Sequence, residues 1–456
     1  MNPAPGRVVL LHPTAGTRDA VAAAPAHPVP PSYQQETYLR RAFALHSDGK
    51  RAARWFVGKF DVPGPIEARS FAAAIERFAA RHAELRSGFR ATGDQIERYV
   101  VDAQDVRFDS SESGMVTDPA ELLAALVDHF GDAAEPVVWP SCAFAAISRQ
   151  DRSTVFIAFD HIHIDRYTVA LALDEIRAMY LANVDGRDLP LPRARDFLEF
   201  CAAERRASAD PANSAELHEV AAQWRNFVKA GGDALPRFPL DVGSEPDTSY
   251  PMTYDDFCEL DAETTDSFER LCRRHGGNLY SGLLAALGLA ANRVAGQSVF
   301  RAMEPRQVRR DPAEHAFGWY ASTSFVMFDV IDKIDGFGSG FRETLAAARA
   351  ATRAAGTRMD VPFDRVVREL VPPFESDRSF WVNYIDNTRL PGSEHFAEWD
   401  VCFVTNERRG DTVDFYLLRT HAGLTVRVRY PATGIAGDVI ASYVDTVTGV
   451  ITEASG

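Results

Sequence analysis

Read as a string of apolar and polar positions, the chain changes period several times. "RWFVGKFDV" (54–62) alternates with period two, as a half-buried strand does. "SFAAAIERFAARHAEL" (70–85) then moves to a helical period, with Phe71, Ile75, Phe78 and Ala79 on one face and Ser70 as N-cap. "ELLAALVDHF" (121–130) predicts a second amphipathic helix. "CAFAAISR" and "STVFIAFDH" predict a hairpin joined through "RQDRS", and a helix over 168–182 follows. The glycine and prolines of "VDGRDLPLPRA" (184–194) break that helix and mark the expected domain boundary.

The second half uses the same vocabulary. A polar helix over 214–230 precedes a strand around "YDDFCEL" and helices over 262–275 and 279–295. Strands at "SVFRAM", "STSFVMFDV", "FWVNYID", "DFYLLRTH" and "LTVRVRYP" interleave with helices over 340–354 and 363–370, and a helix over 436–452 closes the pattern. No glycine-rich phosphate loop follows any strand, which removes the usual signal for nucleotide-dependent redox or kinase chemistry. With 456 residues, more than one core is expected. The division that results is a flexible Pro- and Ala-rich leader over 1–30, an N-terminal lobe over 31–188 and a C-terminal lobe over 189–456.

Charge and composition narrow the partners. A net charge of −15 without a polybasic run argues against nucleic acid or an anionic membrane. The longest apolar stretch, "GLLAALGLAA" (282–291), is too short to span a bilayer, and the first thirty residues lack a signal-peptide core, so a cytoplasmic protein is expected. Five scattered cysteines without CxxC spacing suit a reducing compartment. Arg301, Arg306, Arg309 and Arg310 form the densest basic cluster, and with Asp311 and Glu314 beside it the cluster reads as a solvated loop.

Candidate chemistry concentrates in "FIAFDHIHIDRYTVALALDEI" (156–176), where an alternating run meets a helical one. Strict alternation puts Ile157, Phe159 and His161 on one strand face, with His163 on the same side. A histidine at a strand end is held rigidly enough to act as a base, and Asp165 can fold back under the turn to fix it. The competing reading makes both histidines packing residues and Asp165 a helix cap. A metal site fits poorly, because no third ligand lies at a suitable spacing.

The surroundings of "DHIHIDR" resemble the HHxxxDG motif of the condensation-domain and coenzyme-A-dependent acyltransferase superfamily. That group includes nonribosomal peptide condensation domains and the polyketide-associated acyltransferases of actinobacteria. "PPSYQQETYL" (30–39), "RHAELRSGF" (81–89), "AFGWYASTSFVMFDV" (316–330) and "DVPFDRVVREL" (360–370) are similar to further segments of the group, in order, from about residue 30 to 452. The resemblance implies an α/β (α+β) fold of two chloramphenicol-acetyltransferase-like lobes in a V, with a central channel. It implies a free-standing acyltransferase in natural-product or lipid biosynthesis, with no bound cofactor or metal. The acyl donor would be a phosphopantetheine thioester on an acyl or peptidyl carrier protein, or acyl-CoA; the acceptor would be a small-molecule alcohol or amine. His161 takes the position of the base. Asp165 takes that of the structural aspartate, with Arg86 or Arg301 as its partner. Asp160 replaces the first motif histidine, and Arg166 replaces the motif glycine, beside the donor arm. Trp319 and Tyr320 are expected to line a substrate pocket. Altered motif positions also mark relatives that have lost catalysis and recruit partner proteins, which is the alternative function.

Overall fold

The computed structural model describes residues 4–52, 54–246, 248–309, 315–332, 339–370, 379–406 and 409–455. They form two compact units. The first combines Met1–Pro211 with Arg309–Tyr320 and Leu390–Asn406, and the second combines Ala212–Val308 with Ala321–Arg389 and Glu407–Gly456.

In the first unit the elements run β1 (Gly6–Pro13), α1 (Ala15–Ala23), α2 (Tyr33–Ser47), β2 (Trp55–Pro63), α3 (Ala68–Arg81), β3 (Ser87–Thr92), β4 (Gln95–Val100) and β5 (Phe108–Val116). Then come α4 (Pro119–Ala133), β6 (Cys142–Ser148), β7 (Arg152–Asp160), α5 (Arg166–Val184) and α6 (Phe197–Ala209). An antiparallel sheet runs from the edge strand Cys402–Thr405 through β2, β7, β6 and β1 to β5. Alternation along β7 decides its two faces. Ile157 and Phe159 share a core with Phe71, Ile75 and Phe78 of α3 and Val169 and Leu173 of α5. Phe156 and Ala158 join Leu122, Leu126 and Phe130 of α4 on the other side. Gly58 in β2 lets α5 come this close, since a Cβ there would meet Leu173 Cδ2 at 2.8 Å.

The second unit is built around a seven-stranded sheet in the order Ala321–Asp329, Val299–Gln307, Phe380–Asp386, Val413–Thr420, Gly423–Pro431, Tyr250–Asp261 and Arg409–Gly410. Helices Ala262–Arg274, Leu279–Ala295, Ser339–Thr357 and Ala436–Ser455 cover one face. Ser214–Lys229 and Phe363–Glu369 cover the other through Trp224, Phe227, Phe325 and Val366.

Two expectations need correction. Among the described residues, 4–30 do not form the flexible leader expected over 1–30: β1 pairs with β5 on one side and β6 on the other, and Val9 and Leu11 are 1% and 2% exposed. The run Val8–Leu11 carries a buried strand, which the flanking prolines and alanines mask in the composition. Nor does the break at 184–194 end the first unit. The helix α6 beyond it buries Phe197, Leu198 and Cys201 in that same unit, and two later segments return to it. No single cut in the sequence represents such a division. The predicted strands and helices elsewhere appear within a few residues of their expected limits, whereas the β3–β4 hairpin, β5 and α6 had no counterpart in the reading. Leu11→Ala tests the first correction: it should cost about 2–5 kcal/mol in denaturant unfolding, where a substitution in a loose leader would cost nothing measurable.

Candidate active site

The motif begins where β7 stops. Asp160 closes the strand, and its Oδ1 accepts the Ile162 amide hydrogen at 2.9 Å, capping a short 3-10 turn over His161–His163. Its Oδ2 accepts from the Arg54 amide at 3.0 Å and the Tyr38 hydroxyl at 3.2 Å. Alternation therefore ends at Asp160, one residue earlier than the pattern implies. The two histidines leave a turn, not a strand face, and their environments differ.

His163 is fully buried, with Nδ1 at 2.8 Å from Glu84 Oε1. Glu84 also pairs with buried Arg98, and Gln35 Nε2 donates to Glu84 Oε1 at 2.7 Å and to the Ile162 carbonyl at 2.9 Å. Gln35 belongs to the capping box that Ser32 opens at the start of α2. So "PPSYQQETYL" and "RHAELRSGF" converge under the motif turn, and Gln35, Glu84 and Arg98 are site-supporting residues that the reading did not single out. For Gln35 and Glu84 the signal was there: a Ser-x-x-Gln box and the acid within "RHAEL". Burial alone would raise the Glu84 pKa, but Arg98 and His163 outweigh it and hold the carboxyl below its ordinary value.

His161 is partly exposed. Its amide donates to the Arg54 carbonyl at 2.9 Å, and Nδ1 lies 3.0 Å from the Ile164 carbonyl oxygen. A carbonyl only accepts, so in the neutral ring Nδ1 carries the proton and Nε2 the lone pair. Trp319 lies against the ring at 4.5 Å between centroids, and Phe56 meets it edge-on at 4.9 Å.

Asp165 joins the two readings of the motif, because it is both a cap and a buried anchor. As N-cap of α5 its Oδ1 accepts from the Thr168 amide at 2.8 Å, while Oδ2 accepts from the Tyr320 amide at 3.0 Å. The ion-pair partner is neither Arg86 nor Arg301. Arg86 donates to the carbonyls of Ala79 and Val101, and Arg301 to those of Phe227 and Ala234. Arg309 takes the role, with Nη2 at 3.7 Å from Asp165 Oδ2. It is no solvated loop residue: its side chain is 3% exposed and lies over Tyr167 and Tyr320 at 4.3 and 4.2 Å. It also donates to the Ala316 carbonyl at 2.7 Å and the Thr168 hydroxyl at 3.2 Å. Arg306 pairs with Glu304, so it too has a protein partner, while Arg310, Asp311 and Glu314 lie outside the described residues.

Arg166 is the first residue of α5, where the helix dipole disfavours a cation. Its guanidinium carbon sits 3.4 Å from the ring centroid of Phe403 on the edge strand, an aromatic face that compensates. Tyr320 was expected to line a pocket; its ring is instead packed against Phe197 and Phe200 at 4.9 and 5.0 Å, and only 4% of the residue is exposed. Trp319 is brought to His161, as just described. Among the described residues no group of three or more His, Cys, Asp or Glu side chains is arranged to hold a metal ion, and no helix is long and apolar enough to cross a membrane.

The model of the condensation domain matches residues 50–395. The chain belongs to the condensation-domain family. Named acyltransferases resemble it over nearly its whole length. Acyltransferase PapA3 of Mycobacterium tuberculosis is 28% identical over 98% of this chain and 94% of its own. Trehalose-2-sulfate acyltransferase PapA2 of Mycobacterium tuberculosis is 27% identical over the same shares. The solved structure of PapA2 acyl transferase superposes with a TM-score of 0.88 at 24% identity, covering 100% of this chain and 98% of that one, which establishes a shared mixed helix-and-strand fold. This condensation-domain protein is an acyltransferase.

Two outcomes test the geometry. Asp165→Ala leaves Arg309 buried without its carboxylate and should cost about 3–5 kcal/mol of stability. Adding Arg309→Met should recover part of that loss in the same unfolding assay; strictly additive losses would mean that the pair is not coupled. Asp160 supplies the second test. Burial pushes its pKa from 3.8 up to about 7, against the hydrogen bonds from Arg54, Ile162 and Tyr38. An acid whose folded pKa is raised contributes stability that is complete below its unfolded pKa and lost as pH rises through its folded one. Relative to Asp160→Asn, the unaltered protein should therefore lose up to about 1.4 kcal/mol per pH unit between about pH 4 and about pH 7. A pH-independent difference would show that Asp160 is ionised throughout.

Proposed function

We propose that the protein transfers an acyl group from a thioester to a hydroxyl group, with His161 as the base. The observation that carries this reading is the hydrogen bond from Nδ1 of His161 to the Ile164 carbonyl, which puts the lone pair on Nε2 in a partly exposed ring. Nε2 takes the proton of the acceptor hydroxyl as its oxygen attacks the thioester carbonyl carbon. The tetrahedral intermediate collapses with cleavage of the carbon–sulfur bond, and the imidazolium returns the proton to the departing thiolate. Thioester carbonyls are activated enough that placement and one base suffice, so neither a covalent enzyme intermediate nor a metal takes part.

The donor is an acyl chain on coenzyme A or on the phosphopantetheine arm of an acyl or peptidyl carrier protein. Between an alcohol and an amine acceptor, the alcohol is favoured by the relatives: PapA2 is named for acyl transfer to trehalose-2-sulfate, a polyol. We therefore read the acceptor as a sugar or similar polyol, used in lipid or other natural-product biosynthesis in the cytoplasm. Asp165 is read as the residue that holds the motif turn, and Arg166 as a cation beside it for an anionic substituent on donor or acceptor. The guanidinium lies on Phe403 and not alone in an apolar space, which supports its remaining charged at modest cost.

Intact-mass detection of acyl loss from a panel of acyl-CoA and loaded carrier proteins, with and without sugar acceptors, tests the reading. Transfer should occur and should fall by about 10²–10⁴-fold in His161→Ala, with the melting temperature little changed. Turnover that survives this substitution within a few-fold overturns the base assignment. A protein that binds partners and transfers no acyl group with any donor would belong to the recruiting type instead.

A further inference from the structure

We propose that Tyr38 and Trp319 are positioning residues for the His161 imidazole, forming a clamp that Asp160 holds in register. The inference rests on His161 being the base and adds what sets its orientation.

A hydrogen bond at Nδ1 fixes the tautomer of an imidazole but leaves the ring able to rock about that bond. In this protein two aromatic rings remove the remaining freedom. Trp319 lies against the imidazole with centroids 4.5 Å apart and planes tilted by 39°, and Phe56 of β2 meets it at 4.9 Å and 81°. Trp319 is braced in turn. Tyr38, on α2, packs T-shaped against the indole at 5.7 Å and 89°. The Tyr38 hydroxyl donates to Asp160 Oδ2 at 3.2 Å, the oxygen that also takes the Arg54 amide at 3.0 Å. Asp160 is 0% exposed, so that hydrogen bond is shielded from competing water.

The backbone on either side of Trp319 is tied as well. The Gly318 carbonyl accepts from the Thr168 hydroxyl at 2.7 Å, and the Tyr320 amide donates to Asp165 at 3.0 Å. A Cβ at Gly318 would stand 2.3 Å from Phe197, so this approach requires glycine. Three separate segments thus converge on one imidazole, and each is fastened to an aspartate of the motif or to the strand beside it. At position 160 this explains why an aspartate works where the family pattern has histidine: its carboxylate spans the Tyr38 hydroxyl and two backbone amides at once. It also changes the expected role of Trp319, from wall of a substrate pocket to the surface on which the base rests.

The experiment uses the full chain labelled with ¹³C and ¹⁵N in histidine, with the His161 resonances assigned by their loss in His161→Ala. Trp319→Leu should move the His161 Hε1 resonance downfield as the indole ring current disappears. Tyr38→Leu should shift it in the same direction by less. In acyl transfer from the best thioester donor of the panel above, both variants should lower kcat by about 10–10²-fold with KM within a few-fold, as misplacement of a catalytic group does. Trp319→Phe keeps a ring and should recover most of both signals, whereas Tyr38→Phe keeps the ring without the hydroxyl that Asp160 holds and should recover only part of them; both variants also decide the matter if a leucine variant does not fold. His161 resonances that stay in place in Trp319→Leu and Tyr38→Leu overturn the proposal. So does a change confined to KM, which would mean that Trp319 touches substrate. The resonance is read without substrate, so a failure to find acyl transfer leaves the clamp independently tested.

Discussion

The first unit is organised around one carboxylate. Asp165 accepts the Thr168 amide at the start of α5 and the Tyr320 amide from a segment 155 residues away in sequence. These are charge-assisted bonds in a buried place, reinforced by the helix dipole on one side and the Arg309 guanidinium on the other. Because Asp165 directly follows the motif turn, tying it down fixes where β7 ends and where α5 begins. The same contacts bring Trp319 onto His161. Placement of the His161 ring and docking of a distant segment are consequences of a single constraint.

The other two buried acids near the motif show how local surroundings divide similar groups. Glu84 meets Arg98 and His163, and these partners overcome its burial. Asp160 takes its hydrogen bonds from two backbone amides and the Tyr38 hydroxyl, and burial outweighs these together with the nearby Arg54 charge. The first therefore acts as a permanent counter-charge under the turn. The second can exchange a proton near neutrality while keeping its place as a cap.

Much of this was legible in sequence because it is local. The period-two run of β7, the helical period after Arg166 and an acid at the junction are enough to place a capped helix behind a strand, and α3 and α4 were read from their apolar faces in the same way. The motif's likeness to an acyltransferase superfamily pointed to His161 and Asp165 before any geometry was known. What the pattern missed is non-local. Nothing near Asp165 indicates that Arg309 and not Arg86 or Arg301 will reach it, since all three are arginines far from it in sequence. β1 was hidden by the prolines around it, and it becomes a strand only because β5 and β6 offer it partners. A three-residue turn cannot be told from a strand end by alternation, which is why His161 and His163 were placed on one face.

Amide hydrogen exchange in Asp165→Asn, compared with the unaltered protein, probes the central constraint most directly. Asparagine keeps the shape and one acceptor but loses the charge. The Thr168 and Tyr320 amides should lose protection together, and peptides covering His161–Ile164 and Ala316–Tyr320 should exchange faster while β6 and α4 do not change. Unaltered protection at Tyr320, with loss confined to the first turn of α5, would show that Asp165 is a helix cap alone and that something else holds the segment against His161.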